Sequence, residues 1–350
     1  MELDVKKGPL ITVITATYNL RKNQRIKYVK QCIESVQRQT YSNIEHIVID
    51  GASTDGTLDL LREYERIGWI KLYSAPDNGI YDAMNKGISM ANGKYVNILN
   101  SDDFFHDEKG VEINVEYLER NNLDYTFGDA RVLKSWGRES LWKGDISKLP
   151  IGSHYCHQTM FVKTTLLRSM NGFDISYRVS ADSDLMIRLY VQKYKYMRVP
   201  YCFVTYRKGG YSNQHEEQMR IDHSTSFYRH IGQYADLSQR DCFLLWHARF
   251  FVEEMIANQM KLIDKVPIEF CMEYLLREYQ VRVSYLNVAR REKIYLFGGI
   301  PIGVRQMEGD NVCSIVLLNL IKILKIVDFN SKRKYYLLGF LPILKVKRYL

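Results

Sequence analysis

The sequence predicts an α/β fold with a mainly parallel sheet that has helices on both faces. Short β-branched runs alternate with helical patterns over the first hundred residues. The runs that we interpret as strands are residues 10–16, 44–50, 70–74 and 95–100. Strand–helix–strand connections are right-handed and make neighbouring strands parallel. The carboxyl ends of these strands therefore meet at one edge, where such sheets bind ligands.

Helical spacing supports this interpretation between the predicted strands. Ile26, Val29, Ile33 and Val36 recur at steps of three and four, which gives one apolar stripe. Turn-forming residues at 54–56 begin a second helix, and the same apolar spacing continues through a third helix near residues 80–88.

Length and composition bound the class of protein. At about 150 residues per domain, a chain of 350 residues suggests two units. Hydrophobic residues make up 46% and charged residues 25%, which excludes a disordered or collagenous chain. The 6 cysteines are widely spaced without a CxxC pair, so we expect reduced thiols in a cytosolic protein, with neither a disulfide framework nor a zinc ribbon.

Charge is concentrated near the end of the chain. The 49 basic and 40 acidic residues give a net charge of +9, of which +7 lies within residues 320–350. The remainder is nearly neutral, which argues against a nucleic-acid-binding face on the main body.

Polar loops follow three of the predicted strands. They are residues 15–19, 50–57 and 100–103, and they are rich in hydroxyls and carboxylates. Each loop alone is ordinary turn or helix-cap chemistry. Their position at one sheet edge indicates a nucleotide and metal site.

The chain resembles a known family in the motifs that contain these loops. TATYN, VIDGASTDGT, APDNGIYDAMNKGI and VNILNSDD, followed by HQTMF, GFD and SADSDLMIRL, resemble the family 2 glycosyltransferases of GT-A fold over about residues 8–215. The resemblance is to bacterial enzymes of surface-polysaccharide biosynthesis. It implies a Rossmann-like mixed, mainly parallel sheet, and an inverting, metal-dependent hexosyl- or N-acetylhexosaminyltransferase. Such an enzyme moves a sugar from a nucleotide-sugar, here a UDP-sugar, to a glycan or polyprenyl-linked acceptor.

The resemblance also implies a Mn or Mg site. Asp103 would bind the metal and Asp102 the ribose or metal, although Ser101 stands where the family motif has its first acid. Two adjacent acids repel each other unless a cation is present. His215 in the Gly-rich loop is a candidate extra ligand, but a single loop histidine is more often only solvated.

Several further residues match donor-binding positions by resemblance. Their simpler interpretations remain open: Asp50 with Gly51 forms a common turn, Tyr18 could be packed, and Asp82 with Lys86 has the spacing of a solvated helix pair. The predicted donor-site residues are Thr17, Tyr18, Asn19, Asp50, Asp77, Asp82, Asp102 and Arg207.

The general base is predicted in SADSDL, where a helix begins. The helix dipole stabilises a carboxylate in the first turn, which can then accept a proton at neutral pH. Asp182 aligns with the family's base, but Ala181 replaces the usual Glu, so Asp184 remains an alternative. The resemblance places His157 and Gln158 at the acceptor edge.

A second unit is predicted over residues 236–350, after a GT-A domain over 1–235. Residues 237–263 and 268–293 are helix-length stretches without Gly, which predicts a helical C-terminal domain. A repeated pattern of basic, aromatic and apolar residues at 293–302 and 334–343 then indicates a membrane-surface wedge, with a small β-hairpin as the alternative. With no stretch long enough for a transmembrane helix, we expect a cytoplasmic protein that is peripheral on the inner face of the plasma membrane through its anionic lipids.

Two other functions remain as alternatives. A sugar-nucleotide pyrophosphorylase has a related nucleotide domain, but its Gly-rich N-terminal signature is missing here. A non-catalytic nucleotide-sugar-binding protein would have no need of a base at Asp182. The Gln-x-x-Arg-Trp motif of processive synthases is also missing, which predicts the addition of one sugar.

Overall fold

The computed structural model describes residues 8–134, 137–146 and 155–232, the single residues 239 and 242, and six strands between residues 291 and 347. The chain divides into two compact units, Met1–Cys271 and Met272–Leu350. Most of the two helix-length stretches predicted between residues 237 and 293 lies outside the described residues.

Helices and strands alternate through the first unit as the sequence predicts. Its strands are β1 (Ile11–Thr17), β2 (Ile44–Asp50), β3 (Lys71–Ser74), β4 (Tyr95–Ile98), β5 (Phe104–Phe105), β6 (Tyr125–Leu133), β7 (Glu139–Trp142), β8 (Phe161–Lys163) and β9 (Tyr196–Arg207). Its helices are α1 (Ile26–Gln37), α2 (Thr57–Arg66), α3 (Ile80–Met90), α4 (Gly110–Arg120), α5 (Thr164–Ser169), α6 (Ala181–Val191), α7 (Tyr211–Gln214) and α8 (Glu216–His230). A 3-10 turn spans His157–Thr159.

The strands of this unit form one mixed sheet in the order β3-β2-β1-β4-β8-β6-β9-β5, with β7 beside β6. Strands β1 to β4 pair in parallel, whereas β8 is antiparallel to both β4 and β6. The predicted α/β class with flanking helices is therefore confirmed.

Strand β1 lies at the centre of the core, and all seven of its residues are buried. Ile11 and Val13 belong to a cluster with Phe161 and Phe203, while α1 and α2 pack with β2 in a second cluster. The β-branched run Ile-Thr-Val-Ile-Thr suits a central strand with both faces covered. The buried Thr12 and Thr15 hydroxyls donate to Glu45 and to the Leu99 carbonyl.

The strand register brings the polar loops together. Thr17 at the end of β1 pairs with Asp50 at the end of β2, and Asp50 pairs with Ser74 at the end of β3. Strand β4 is paired on the other side of β1 and leads into the turn at residues 100–103. The three loops singled out in the sequence therefore lie at one edge.

The second unit contains a six-stranded antiparallel sheet over residues 291–347. The predicted helical part of the C-terminal region, residues 237–293, lies almost wholly outside the described residues and stays a prediction. The strands are β10 (Arg291–Leu296), β11 (Ile300–Met307), β12 (Val312–Leu317), β13 (Ile321–Phe329), β14 (Lys332–Leu337) and β15 (Leu341–Lys347), paired in sequence order. Short runs rich in Ile and Val, separated by Gly and Asn, favour strands and hairpins over helices.

The sheet consists of three equivalent hairpins, two of which contain the repeated pattern. The pairing shifts at the same place in each, next to Tyr295, Val316 and Tyr336. One isoleucine is left unpaired at each shift, at positions 302, 323 and 343. The two segments of the repeated pattern therefore lie in hairpins. Their predicted place at a membrane surface stays a prediction.

Two further observations bear on the sequence predictions. Within the described residues, no helix has the length and hydropathy needed to cross a membrane. Among the described residues, Cys32, Cys156 and Cys202 are free thiols.

Candidate active site

The acidic turn after β4 contains a buried carboxylate. Asp103 has no exposed surface; its Oδ1 accepts the Arg207 backbone N–H at 2.8 Å and its Oδ2 accepts Gln158 Nε2 at 2.5 Å. Burial, and next the negative charge of Asp102, raise the pKa of Asp103 well above its usual range. A cation beside this turn would stabilise the ionised form of both acids.

Asp102 is more accessible and carries an ion pair. Its Oδ2 accepts Arg25 Nη1 at 2.9 Å, and Arg25 also donates to the Gly209 carbonyl. A Cβ on Gly210 would lie 3.6 Å from the same Oδ2, so the Gly-rich loop borders the turn. Arg25 was not among the predicted site residues, although it belongs to a basic run just after β1 that also contains Arg21 and Lys22.

Arg207 lies behind the acidic turn. Its guanidinium donates to the Asp102 carbonyl and to Gln31, and is held between the rings of Tyr28 and Phe104 at 4.5 and 4.7 Å. With all these partners, Arg207 fixes the shape of the turn. Its predicted contact with the donor stays a prediction.

The side-chain contacts of His215 are with Tyr211, and none of its hydrogen bonds among the described residues is to Asp102 or Asp103. Its Nδ1 is 2.9 Å from the Tyr211 carbonyl, and its ring packs on Tyr211 at 4.1 Å. Among the residues that the structure describes, no group of three or more His, Cys, Asp or Glu side chains is arranged to hold a metal. Within the described residues, His215 therefore does not join Asp102 and Asp103 in a three-ligand metal site.

Asp50 organises the loop ends and is completely buried. Its carboxylate accepts four hydrogen bonds, from the hydroxyls of Thr17, Ser53 and Ser74 and from the Ser53 backbone N–H. Asp50 and Thr17 thus lock β1, β2 and β3 together at the edge. The turn interpretation of Asp50 describes its contacts better than a direct grip on a ligand.

Tyr18 and Asp77 converge over Gly51. A Cβ on Gly51 would lie 2.6 Å from Asp77 Oδ2 and 3.2 Å from Tyr18 Cδ2, so only glycine leaves room here. Tyr18 is 60% exposed, while Asp77 Oδ1 accepts the Gly79 N–H. An exposed ring beside a carboxylate oxygen forms a shelf on which a nucleobase can stack and donate a hydrogen bond.

Asn19 and Asp82 have local structural roles. Asn19 has a positive φ of 45°, donates its N–H to Ser53 and accepts the Thr54 N–H. Asp82 accepts the Asn78 N–H and pairs with Lys86 at 3.1 Å, and these contacts, that of Asn78 foremost, lower its pKa. Both residues shape the loops that carry Tyr18 and Asp77.

Asp182, in the first turn of α6, has two hydrogen-bond donors. His157 Nδ1 lies 2.9 Å from its Oδ2 and the Tyr81 hydroxyl donates to Oδ1 at 3.0 Å. Burial alone would raise the pKa of Asp182, but the hydrogen bond and charge of His157, with smaller contributions from His223 and Tyr81, lower it overall. The geometry maintains an ionised, partly accessible carboxylate.

Asp184 lies in a separate buried cluster. Arg188 Nε, the Ser226 hydroxyl and His230 Nε2 are 2.7, 2.8 and 3.0 Å from its oxygens. These contacts overcome the opposing effect of burial and lower the pKa of Asp184. Because α8 covers this side of α6, Asp184 joins two helices and does not share the position of Asp182.

The consecutive residues His157 and Gln158 connect the two acidic centres. His157 contacts Asp182 and Gln158 contacts Asp103, so one short turn fixes the base candidate relative to the acidic turn. The Nε2 atom of His157 is buried with no hydrogen-bond partner in the described part of the chain. The predicted acceptor-edge pair therefore belongs to the same site as Asp102, Asp103 and Asp182.

Several solved structures share this fold. S. aureus TarS, residues 1–349, superposes with a TM-score of 0.51 at 16% identity, covering 86% of this chain and 99% of TarS. Its UDP-GlcNAc complex gives a TM-score of 0.50. A mannosyltransferase from Pyrobaculum calidifontis, in complex with GDP-Man and Mn²⁺, gives 0.50 at 17% identity over 80% of this chain and 77% of its own. The fold is that of GT-A glycosyltransferases.

Sequence comparison defines the family. The profile of Glycosyl transferase family 2 matches residues 12–185. An uncharacterized glycosyltransferase of Mycobacterium tuberculosis is 31% identical over 192 residues, covering 52% of this chain and 69% of the relative. A PGL/p-HBAD biosynthesis glycosyltransferase of Mycobacterium bovis is 29% identical over 191 residues, covering 52% and 70%. The chain belongs to glycosyl transferase family 2, and it is an enzyme that transfers sugars.

Proposed function

We propose that this enzyme transfers one sugar from a UDP-sugar to a hydroxyl group with inversion at the anomeric carbon, and that it requires a divalent metal. The observation that carries the proposal is the His157–Gln158 turn, which contacts both Asp182 and Asp103. A single-displacement transfer needs one base for the acceptor and a separate site for the departing diphosphate, and this turn joins the two.

Asp182 is the proposed general base. The acceptor hydroxyl gives its proton to the Asp182 carboxylate while its oxygen attacks the anomeric carbon, and the bond to the diphosphate oxygen breaks with its electron pair on the diphosphate. His157 and Tyr81 hold the carboxylate ionised and oriented for this step. Burial raises the pKa of Tyr81 well above its usual range, so its hydroxyl remains a donor.

The acidic turn fits a Mn²⁺ or Mg²⁺ ion that is completed by substrate. Mg²⁺ is usually held by one or two carboxylates together with substrate phosphates, which agrees with two acids and no larger ligand cluster in the described residues. Asp102 and Asp103 would hold the ion, whose charge would oppose the burial and the Asp102 charge that raise the pKa of Asp103. When bound, the ion would neutralise charge on the leaving diphosphate.

The shelf formed by Tyr18, Gly51 and Asp77 is the proposed base-binding part of the donor site. A stacked uracil would present its ring N–H toward a carboxylate oxygen such as Asp77 Oδ2. The nucleotide complexes of TarS and of the mannosyltransferase support a nucleotide-sugar donor.

For the acceptor we propose a glycan or polyprenyl-linked sugar in surface-polysaccharide biosynthesis. The support is a Bacillus subtilis relative named as a putative teichuronic acid biosynthesis glycosyltransferase, and the missing motif of processive synthases. Addition of a single sugar to a growing or lipid-linked chain agrees with both.

A panel of UDP- and GDP-sugars tests the proposal by donor hydrolysis with and without Mn²⁺. We expect one UDP-sugar to be hydrolysed only with the metal, and Asp182→Asn to bind it without hydrolysis. Asp59→Asn, at an exposed position of α2, is the matched control and should behave as wild type. Binding without hydrolysis by wild type in every combination would favour the non-catalytic alternative.

A further inference from the structure

The six-stranded sheet of the second unit has two faces of opposite composition. Residues paired directly across neighbouring strands share a face, as do alternate residues along a strand. The register from β10 to β15, including the shift in each hairpin, therefore assigns every paired residue to one face.

One face, which we call the basic face, collects most of the positive charge. Within the six described strands it holds eight cationic residues and no acidic residue. These residues are Arg291, Lys293, Lys322, Lys325, Lys332, Lys334, Lys345 and Lys347. Six of them come from the three adjacent strands β13 to β15.

The opposite face has a different composition. Fifteen of its twenty positions are apolar, and its two acidic and two basic residues cancel. Arg305 and Arg333 are its basic residues. The excess positive charge of these six strands therefore lies on the basic face alone.

The register also sets like charges against each other. Lys332 pairs with Lys347 and Lys334 pairs with Lys345. Like charges directly opposite on neighbouring strands destabilise a sheet. A negatively charged partner on the basic face would relieve this repulsion.

We propose that the basic face docks on an anionic lipid bilayer. Strands lie about 4.8 Å apart, so the register places the six lysines of β13 to β15 at neighbouring positions on one face, where several lipid headgroups can be met at once. Clustered Lys and Arg residues are attracted to anionic lipids, and Tyr295 and Tyr336 on the same face are of a type enriched at membrane interfaces. The inference goes beyond the proposed function, because no residue of the candidate active site lies in this sheet.

Co-sedimentation of the full chain with phosphatidylcholine–phosphatidylserine vesicles tests the proposal. Lys334→Gln with Lys345→Gln removes one facing pair, and each cation contributes about fivefold, so binding should weaken about 25-fold. The matched control, Arg305→Gln with Arg333→Gln, removes the same charge from the opposite face and should bind as wild type. Lys334→Arg with Lys345→Arg keeps the charge and should also bind.

Four results would overturn the proposal. They are equal weakening by the two Gln variants, failure of the wild type to bind at low salt, equal binding to pure phosphatidylcholine vesicles, and weakening by the Lys334→Arg with Lys345→Arg variant as large as that by the Lys334→Gln with Lys345→Gln variant. Binding that falls between 0.1 and 1 M salt supports it, because the Debye length shortens from about 10 to about 3 Å. Donor hydrolysis measured on the same variants should be unchanged, which separates this proposal from that of the active site.

Discussion

Nδ1 of His157 lies 2.9 Å from Oδ2 of Asp182, and the next residue in the chain donates to Asp103. The two carboxylates come from different elements, α6 and the turn after β4, and are far apart in sequence. The 3-10 turn His157–Thr159 fixes both, so a change in this turn is expected to alter the base and the acidic turn together.

Asp182→Asn should lower turnover by at least about 100-fold while donor affinity is kept, because the amide cannot accept the acceptor proton. Single-turnover kinetics and donor calorimetry measure the two effects separately. Asp174→Asn, which removes an acid from an exposed pair with Arg229, is the control. Normal turnover in the Asp182 variant would rule out its role as the base.

His157→Ala should move the acidic limb of the kcat profile to higher pH. The pKa of Asp182 is lowered in the fold, with the His157 hydrogen bond foremost among the groups that lower it. The base works only when ionised, so activity is lost as pH falls through its pKa, and a raised pKa moves that loss upward. Tyr81→Phe should shift the limb in the same direction. An unmoved limb in both variants would contradict the positioning role.

Asp103→Asn should abolish the Mn²⁺-dependent part of UDP binding, since it removes one of only two proposed carboxylate ligands. Calorimetry with UDP in the presence and absence of Mn²⁺ measures the difference. Asp59→Asn should retain the full metal effect, because Asp59 is exposed in α2 and outside the site. Metal-dependent binding that survives in the Asp103 variant would disprove the metal assignment.

Asp184→Asn should destabilise the first unit without a specific effect on chemistry. Removing one partner of a buried charge cluster costs about 3 to 5 kcal/mol of unfolding free energy. Asp174→Asn, at the exposed pair with Arg229, should cost at most about 1 kcal/mol. Urea denaturation gives both values, and equal costs would show that the Asp184 cluster is not a structural centre.

Much of the catalytic unit could be predicted from the sequence because its signals are local. Strands, amphipathic helices and polar loops each leave a pattern within a short stretch of sequence. Their alternating order predicts a parallel sheet with the polar loops at one edge. The two acids of α6 belong to one motif, but Asp182 and Asp184 lie two residues apart and so project on different sides of the helix. Which side meets the active site depends on α8, from which Ser226 and His230 contact Asp184.

The parts that sequence reasoning missed depend on long-range contacts. Arg25 follows β1 by eight residues, and only the fold brings it to Asp102. Arg207 is a typical phosphate ligand by residue type, but Tyr28 and Phe104 enclose its guanidinium. In the second unit, the helix-length stretches lie almost wholly outside the described residues, and the strand pattern downstream at residues 312–347 was the signal for the hairpins that the structure describes.

The anomeric configuration of the first-formed product tests the central claim most directly. With the UDP-sugar selected by the donor panel, proton NMR at early times reports the sugar released to water before its anomers equilibrate. The account predicts that an α-linked donor gives the β-sugar first, since one displacement assisted by Asp182 inverts the centre. Initial formation of the α-sugar would contradict it.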